Sequence, residues 1–232
     1  MDIRDITITK ENRTLHIDDC TKTILSNNLI YCSILVGISL LTILCLRLDC
    51  YLFGPVINEA SVTECTQQIL LGITSVAFYR ISIENPHLKQ AALLICGFFL
   101  VMFIRELDFL FDYIRHGSWI YPALFVTTIS IYNACKNGVS TVLNQLAKIL
   151  AYPDMKSLLV GVVFLVVFSR LYGMGSFWQS LMGDHYLRAV KNVAEEGIEL
   201  LCYFLITVSA VTTQFGLKRQ SKQMNVNESL SH

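Results

Sequence analysis

Charge is scarce in this chain. Asp, Glu, Lys and Arg together make up 16% of its 232 residues, where an ordinary soluble domain carries about 25%. Proline is scarce at four and glycine stands at twelve, which excludes a collagen-like or low-complexity chain. Enzyme signatures are missing too. No H-E-x-x-H, H-x-x-x-H, G-x-S-x-G or G-x-x-x-x-G-K-[ST] occurs, so there is no zincin helix, nucleophile elbow or phosphate-binding P-loop. The eight cysteines contain no C-x-x-C. Cys32, Cys45, Cys96, Cys135 and Cys202 lie in or beside apolar runs, where cysteine acts as a small hydrophobe, so the set reads as free structural thiols. Eighteen basic residues balance eighteen acidic ones, and no nucleic-acid partner is implied.

Apolar sequence fills the space that charge leaves. Hydrophobic residues make up 53% of the chain and the mean hydropathy is +0.52. Six runs approach the ~20 residues that cross a hydrocarbon core: 28–47, 64–81, 89–111, 119–136, 157–174 and 195–216. The second is weakened by Thr, Ser and Gly, and the fourth is short. Pro86 marks a turn between the second and third runs, while Pro122 and Pro153 suit the first turns of helices. Val139, Val142, Leu143, Leu146, Ile149 and Leu150 recur at helical spacing. They predict an amphipathic helix over 139–150, at the membrane interface or packed between spans. The expected fold is all-α: a polytopic membrane protein with a bundle of about six transmembrane helices over 28–216. A polar segment over 1–27 precedes it and a polar tail over 217–232 follows. Residues 1–27 show no signal-peptide pattern, and Ile3, Ile6 and Ile8 hint at a short extended piece.

Lysine and arginine set the expected orientation. With the N-terminus, the 81–89 turn, the 136–156 loop and the tail on one side, that side holds 12 of the 18 basic residues and the other holds 6. Both termini are therefore expected in the cytoplasm, and the membrane is expected to be a bacterial inner or plasma membrane.

One polar stretch organises the rest. His185, Arg188, Asn192, Glu195 and Glu199 follow the rhythm of one helix face, with Glu196 beside it and Tyr203 one turn further. The same helix then runs through 200–215, which carries no charge. A charge at a helix centre in lipid costs ~2.5–3.5 kcal/mol on insertion scales, so such groups face protein or water. In the expected topology other ionisable residues join that end. Glu64 opens the second span, and Arg105, Glu106, Asp108 and Asp112 close the third, with Arg105, Asp108 and Asp112 on one face. Arg170 closes the fifth. A faint repeat accompanies this, because the first, third and fifth spans end near Arg47, Arg105 and Arg170.

The gathered set holds seven carboxylates (Glu64, Glu106, Asp108, Asp112, Glu195, Glu196, Glu199) against Arg105, Arg170 and Arg188. Burial of such an excess demands protons, a bound cation or water. Oxygen ligands suit Mg²⁺, Ca²⁺ or Mn²⁺, and adding His185 would suit Zn²⁺ or Fe²⁺. Asp108, Asp112, Glu195 and Glu199 are the metal-ligand candidates, with a divalent cation as the cofactor they would take. The simpler alternative is a set of solvated helix ends, with Arg105–Asp108 and Arg188–Glu195 as structural ion pairs. Three functions follow. The first is a small transporter or channel-like protein with an acidic cation or proton site on the extracytoplasmic side. The second is a metal-dependent membrane enzyme at the outer leaflet, with Glu199 and Asp108 or Asp112 holding an activated water. The third is a non-catalytic assembly or accessory subunit. The expected partners are the lipid bilayer, a small cation or proton, and a second copy or another membrane subunit.

Overall fold

A computed structural model describes residues 18–53, 61–113, 115–136 and 138–230, and among them every regular element is helical. In order these are α1 Asp19–Phe53, α2 Val62–Glu84, α3 Lys89–Glu106, α4 Asp108–Asp112, α5 Ile120–Cys135, α6 Val139–Leu150, α7 Pro153–Val163, α8 Ser169–Gly173, α9 Gly175–Met182 and α10 Arg188–Leu230. A π-helical stretch, Phe164–Phe168, joins α7 to α8, and 3-10 turns occupy Pro86–Leu88 and Gly183–His185. The extended piece expected around Ile3, Ile6 and Ile8 lies outside the described residues.

Among the described residues four helices are long and apolar enough to cross a membrane: Asp19–Leu52, Pro86–Glu106, Pro153–Gly173 and Arg188–Gln223. The other two expected spans are helices that each meet one requirement. At 23 residues α2 is about 34 Å long, but it is too polar. At 16 residues α5 is apolar, but at about 24 Å it falls short of the ~30 Å core. Helix also extends into the ends that read as polar. α1 begins at Asp19, whose carboxylate holds Lys22 at 2.9 Å, and α10 continues to Leu230. Polar side chains at i,i+3 spacing support a helix as well as apolar ones do.

The chain divides into two compact units, 1–37 and 38–232. The described part of the first is the opening half of α1, with Ile24, Leu25, Leu29 and Ile30 exposed. In the second, α2 packs against both α3 and α10, while α3 also carries α5 and α10 also carries α7. Apolar helices gain little from association in lipid, so close packing and internal hydrogen bonds must hold them. Small residues provide the close approach: Ala91 and Ala92 are fully buried, Gly97 lies directly against Ser130, and Gly161 faces Ile206. Phe78 stacks on Phe99 with ring centroids 5.8 Å apart.

Between α2 and α10 the packing turns polar. Thr74 Oγ1 and Thr207 Oγ1 lie 2.9 Å apart, and the Thr207 hydroxyl also reaches the Leu70 carbonyl at 3.1 Å. Thr63, Gln67, Ser75 and Ser82 of α2 are buried, as are Ser209, Thr213 and Gln214 of α10. The polarity that makes α2 a weak span by composition thus faces protein, where internal partners satisfy it.

The amphipathic helix expected over 139–150 is α6. Its Val142 and Ile149 are buried while Val139 and Leu143 are exposed. Gln145 Oε1 accepts the backbone N–H groups of Gln90 and Ala91 at 3.0 and 3.2 Å, which caps the start of α3. One end of the bundle therefore gathers α6, the starts of α3 and α7, and the Lys218–Glu84 ion pair at 2.7 Å. The other end gathers the start of α2, the end of α3, α8 and the start of α10.

A Cβ at residue 161 would lie 2.8 Å from Ile206 Cγ1. Gly161→Leu should destabilise the detergent-solubilised protein by about 1–3 kcal/mol through overpacking. Gly37 has nothing within 4 Å of its Cβ position, so Gly37→Ala should leave the thermal unfolding midpoint unchanged or slightly raised.

Candidate functional site

The polar end is built from the first turn of α2 outward. Asp49 is fully buried. Its Oδ1 accepts the Val62 N–H at 2.6 Å, and its Oδ2 accepts the Thr63 N–H at 2.9 Å and the Thr63 hydroxyl. Ser61 Oγ accepts the Glu64 N–H at 3.1 Å. Together they satisfy donors that a helix start leaves open, and they place a negative charge at the positive end of the helix dipole. From sequence, Asp49 is only one more charge after Arg47 at the end of an apolar run.

One turn into α2, the buried Gln67 donates from Nε2 to Glu196 Oε2 on α10 at 2.8 Å. Its neighbour Gln68 donates to the Glu106 carbonyl at 3.3 Å. The Glu106 side chain, at the end of α3, accepts the Tyr203 hydroxyl at 2.8 Å and holds Arg105 at 3.5 Å. Glu199, one turn before Tyr203, is 7% exposed, and its Oε1 is 3.2 Å from Ser169 Oγ. That serine also donates to the Leu165 carbonyl at 2.5 Å, just where the π-helical stretch ends. Glu195 holds Lys191 at 2.7 Å, and its carboxylate lies where any Cβ on residue 173 would fall. Gly173 thus makes room for it.

Four carboxylates (Glu106, Glu195, Glu196 and Glu199) therefore lie among two cations, Arg105 and Lys191. Glu106, Glu196, Glu195 and Arg105 are all within electrostatic range of Glu199, and Glu64 is within range of Glu196. Asp108 is exposed but still within the field of Arg105.

The remaining expected members lie elsewhere. Leu107 interrupts the helix between α3 and α4, so Arg105, Asp108 and Asp112 do not share a continuous face. Asp112 turns to its own loop instead. Its Oδ1 accepts the Gly117 N–H at 3.0 Å and its Oδ2 lies 2.9 Å from His116 Nδ1, in a turn that Gly117 completes at φ +79°. His185 lies in the 3-10 turn before α10, off the face it was expected to share with Glu195 and Glu199. His185, Arg170 and Arg188 are exposed. The expected Arg188–Glu195 pair gives way to Lys191–Glu195, because residues four apart meet on a helix while residues seven apart are two turns distant. The expected Arg105–Asp108 pair gives way to Arg105–Glu106. Among the described residues no three His, Cys, Asp or Glu side chains are grouped to hold a metal ion, so Asp108, Asp112, Glu195 and Glu199 do not form one ligand set.

Asp49, Gln67, Ser169 and Lys191 are the site residues that sequence spacing missed. The Gln67–Gln68 pair in an otherwise weakly apolar span was the visible signal. No protein-family model, no curated protein and no solved structure matches the chain.

Asp49→Ala should remove about 1–2 kcal/mol of stability, the usual cost of an uncapped helix start, read as a lowered unfolding midpoint in detergent. Asp112 yields a pH prediction. The Gly117 N–H and then His116 hold its carboxyl below its ordinary pKa, so its support of the 115–118 turn is present above the usual carboxylate range. That support is lost as pH falls through the depressed value. The Gly117 amide should keep its hydrogen-exchange protection at pH 5 and lose it near pH 2, whereas in Asp112→Ala the protection should be absent at both.

Proposed function

We propose that this chain is a small multi-pass transporter or channel-like protein in which Glu196 and Glu199 form a cation or proton site. The carrying observation is the setting of Glu199. It is 7% exposed and bonded to the neutral Ser169 hydroxyl, while the nearby Arg105 is engaged by Glu106. Ionisable groups enclosed in membrane helices without a matched counter-charge mark ion pathways and proton relays.

The hydrogen bonds support two states of the site. A serine hydroxyl has one proton and two acceptor positions. With that proton on the Leu165 carbonyl, Ser169 Oγ can accept from a protonated Glu199. With Glu199 ionised, the serine proton can turn to the carboxylate. Gln67 serves Glu196 in either state because its amide is neutral. Arg105, Glu106 and Tyr203 brace the opposite side. From there the buried hydroxyls of Thr74, Thr207, Ser209 and Thr213 continue along α2 and α10 towards the Lys218–Glu84 end.

In this reading six helices cross the membrane, with α2 enclosed by its neighbours and α5 as a short crossing. Both termini lie in the cytoplasm and the carboxylates face the extracytoplasmic side, following the distribution of lysine and arginine. An inner or plasma membrane is the proposed location, with residues 1–27 and 217–232 flanking the transmembrane domain.

The test uses the full chain in vesicles carrying a pH gradient and a trapped pH-sensitive dye, with Na⁺, K⁺ or Mg²⁺ added outside. One of these cations should drive proton movement in the wild type. Glu199→Gln should abolish that movement while keeping its unfolding midpoint. Unchanged flux in Glu199→Gln would overturn the site. No flux in the wild type would favour an assembly subunit, in which the same bonds only hold the helices together.

A further inference from the structure

A cavity of about 440 Å³ opens at the end of the bundle opposite the carboxylates, where α6, the start of α7, the end of α10 and the turn before α3 meet. Its polar lining is His87, Lys148, Tyr152 and Gln220, and much of the remainder is apolar, including Leu88 and Leu217. Among the described residues no Asp or Glu lines it. Two carboxylates lie near it in sequence: Asp154, which follows Pro153 outside the lining, and Glu84, which Lys218 pairs at 2.7 Å.

The hydrogen bonding strengthens this one-sided chemistry. Tyr152 donates its hydroxyl to Gln220 Oε1 at 2.5 Å, and partial burial raises the pKa of that phenol, which keeps it a donor. With one acceptor position of its oxygen engaged, Gln220 still carries its NH₂ donors, and Lys148 and His87 share the lining. Lys148 and His87 are exposed, so neither is a core residue committed to packing. A cavity for a cation would need oxygen acceptors, and one for a neutral apolar ligand would not need the Lys148 ammonium. A lysine ammonium with further polar donors above an apolar floor, beside an amphipathic helix, matches a molecule with a negative head and an apolar body.

We propose that this cavity binds the phosphate headgroup of an anionic phospholipid, with Lys148, His87 and Gln220 on the phosphate and the lipid body against Leu88 and Leu217. The proposal requires the chain to reside in a membrane but not that it transports anything.

The test is native mass spectrometry of the full chain released from detergent in the presence of phosphatidylglycerol or phosphatidylcholine. The wild type should retain one phosphatidylglycerol per chain in preference to phosphatidylcholine. Each membrane-facing cation contributes roughly a fivefold preference for anionic lipid, so His87→Gln with Lys148→Gln should reduce retention by at least fivefold. Lys136→Gln, which removes a cation outside the cavity, should leave it unchanged. Equal retention of the two lipids by the wild type would overturn the proposal without reference to any variant. So would an equal loss in Lys136→Gln, which would mark a general surface-charge effect. Displacement of the lipid by millimolar inorganic phosphate would make the free ion the ligand and would also overturn it.

Discussion

Thr74 and Thr207 share a hydroxyl contact at 2.9 Å in the middle of an apolar bundle, and the rest of the second unit is arranged around that seam. Polar groups at that depth have no water to turn to, so each must find a partner within the protein. α2 and α10 provide those partners for each other. Because they are occupied with one another, the other helices can present apolar side chains outward. α3 and α7 flank the seam, and α5 packs on α3. Small residues, Gly161 and Gly97 among them, bring the backbones close enough for the side-chain bonds to form.

The two ends of this seam differ in chemical character. At one, Asp49 caps α2 and four glutamates lie among Arg105 and Lys191, so acceptors outnumber cations. At the other, Glu84 is neutralised by Lys218, and the adjoining cavity presents Lys148, His87 and an amide. A helical bundle with an acidic end and a donor-rich end has a built-in electrical direction.

Much of the architecture was legible from composition and periodicity. Each of the six apolar runs is largely helical, with a break at Leu107 in the third, and α6 occupies the amphipathic stretch with Val142 and Ile149 turned inward. Pro153 opens α7 in the position where its missing N–H does no harm. The weakness of the second run was itself informative, since Gln67 and Thr74 mark the face that bonds to α10. Less legible was where helices stop. The interruption at Leu107 and the turn closed by Gly117 carry Asp112 away from Arg105, and the 3-10 turn at Gly183–His185 removes His185 from the α10 face.

Sequence by itself determined the helical class, the apolar lengths and the concentration of ionisable groups near the ends of particular runs. Those features depend on side-chain chemistry and on spacings of three or four residues, and both are local. Only the tertiary structure decided which carboxylates meet. Gln67 finds Glu196 across 129 positions, Tyr203 finds Glu106 across 97, and Ser169 finds Glu199 across 30. Asp49 meets the start of α2 across 13 and 14 positions. A hydrogen bond requires its atoms within about 3 Å, and no spacing rule along one helix specifies how separate helices rotate and slide to bring them there.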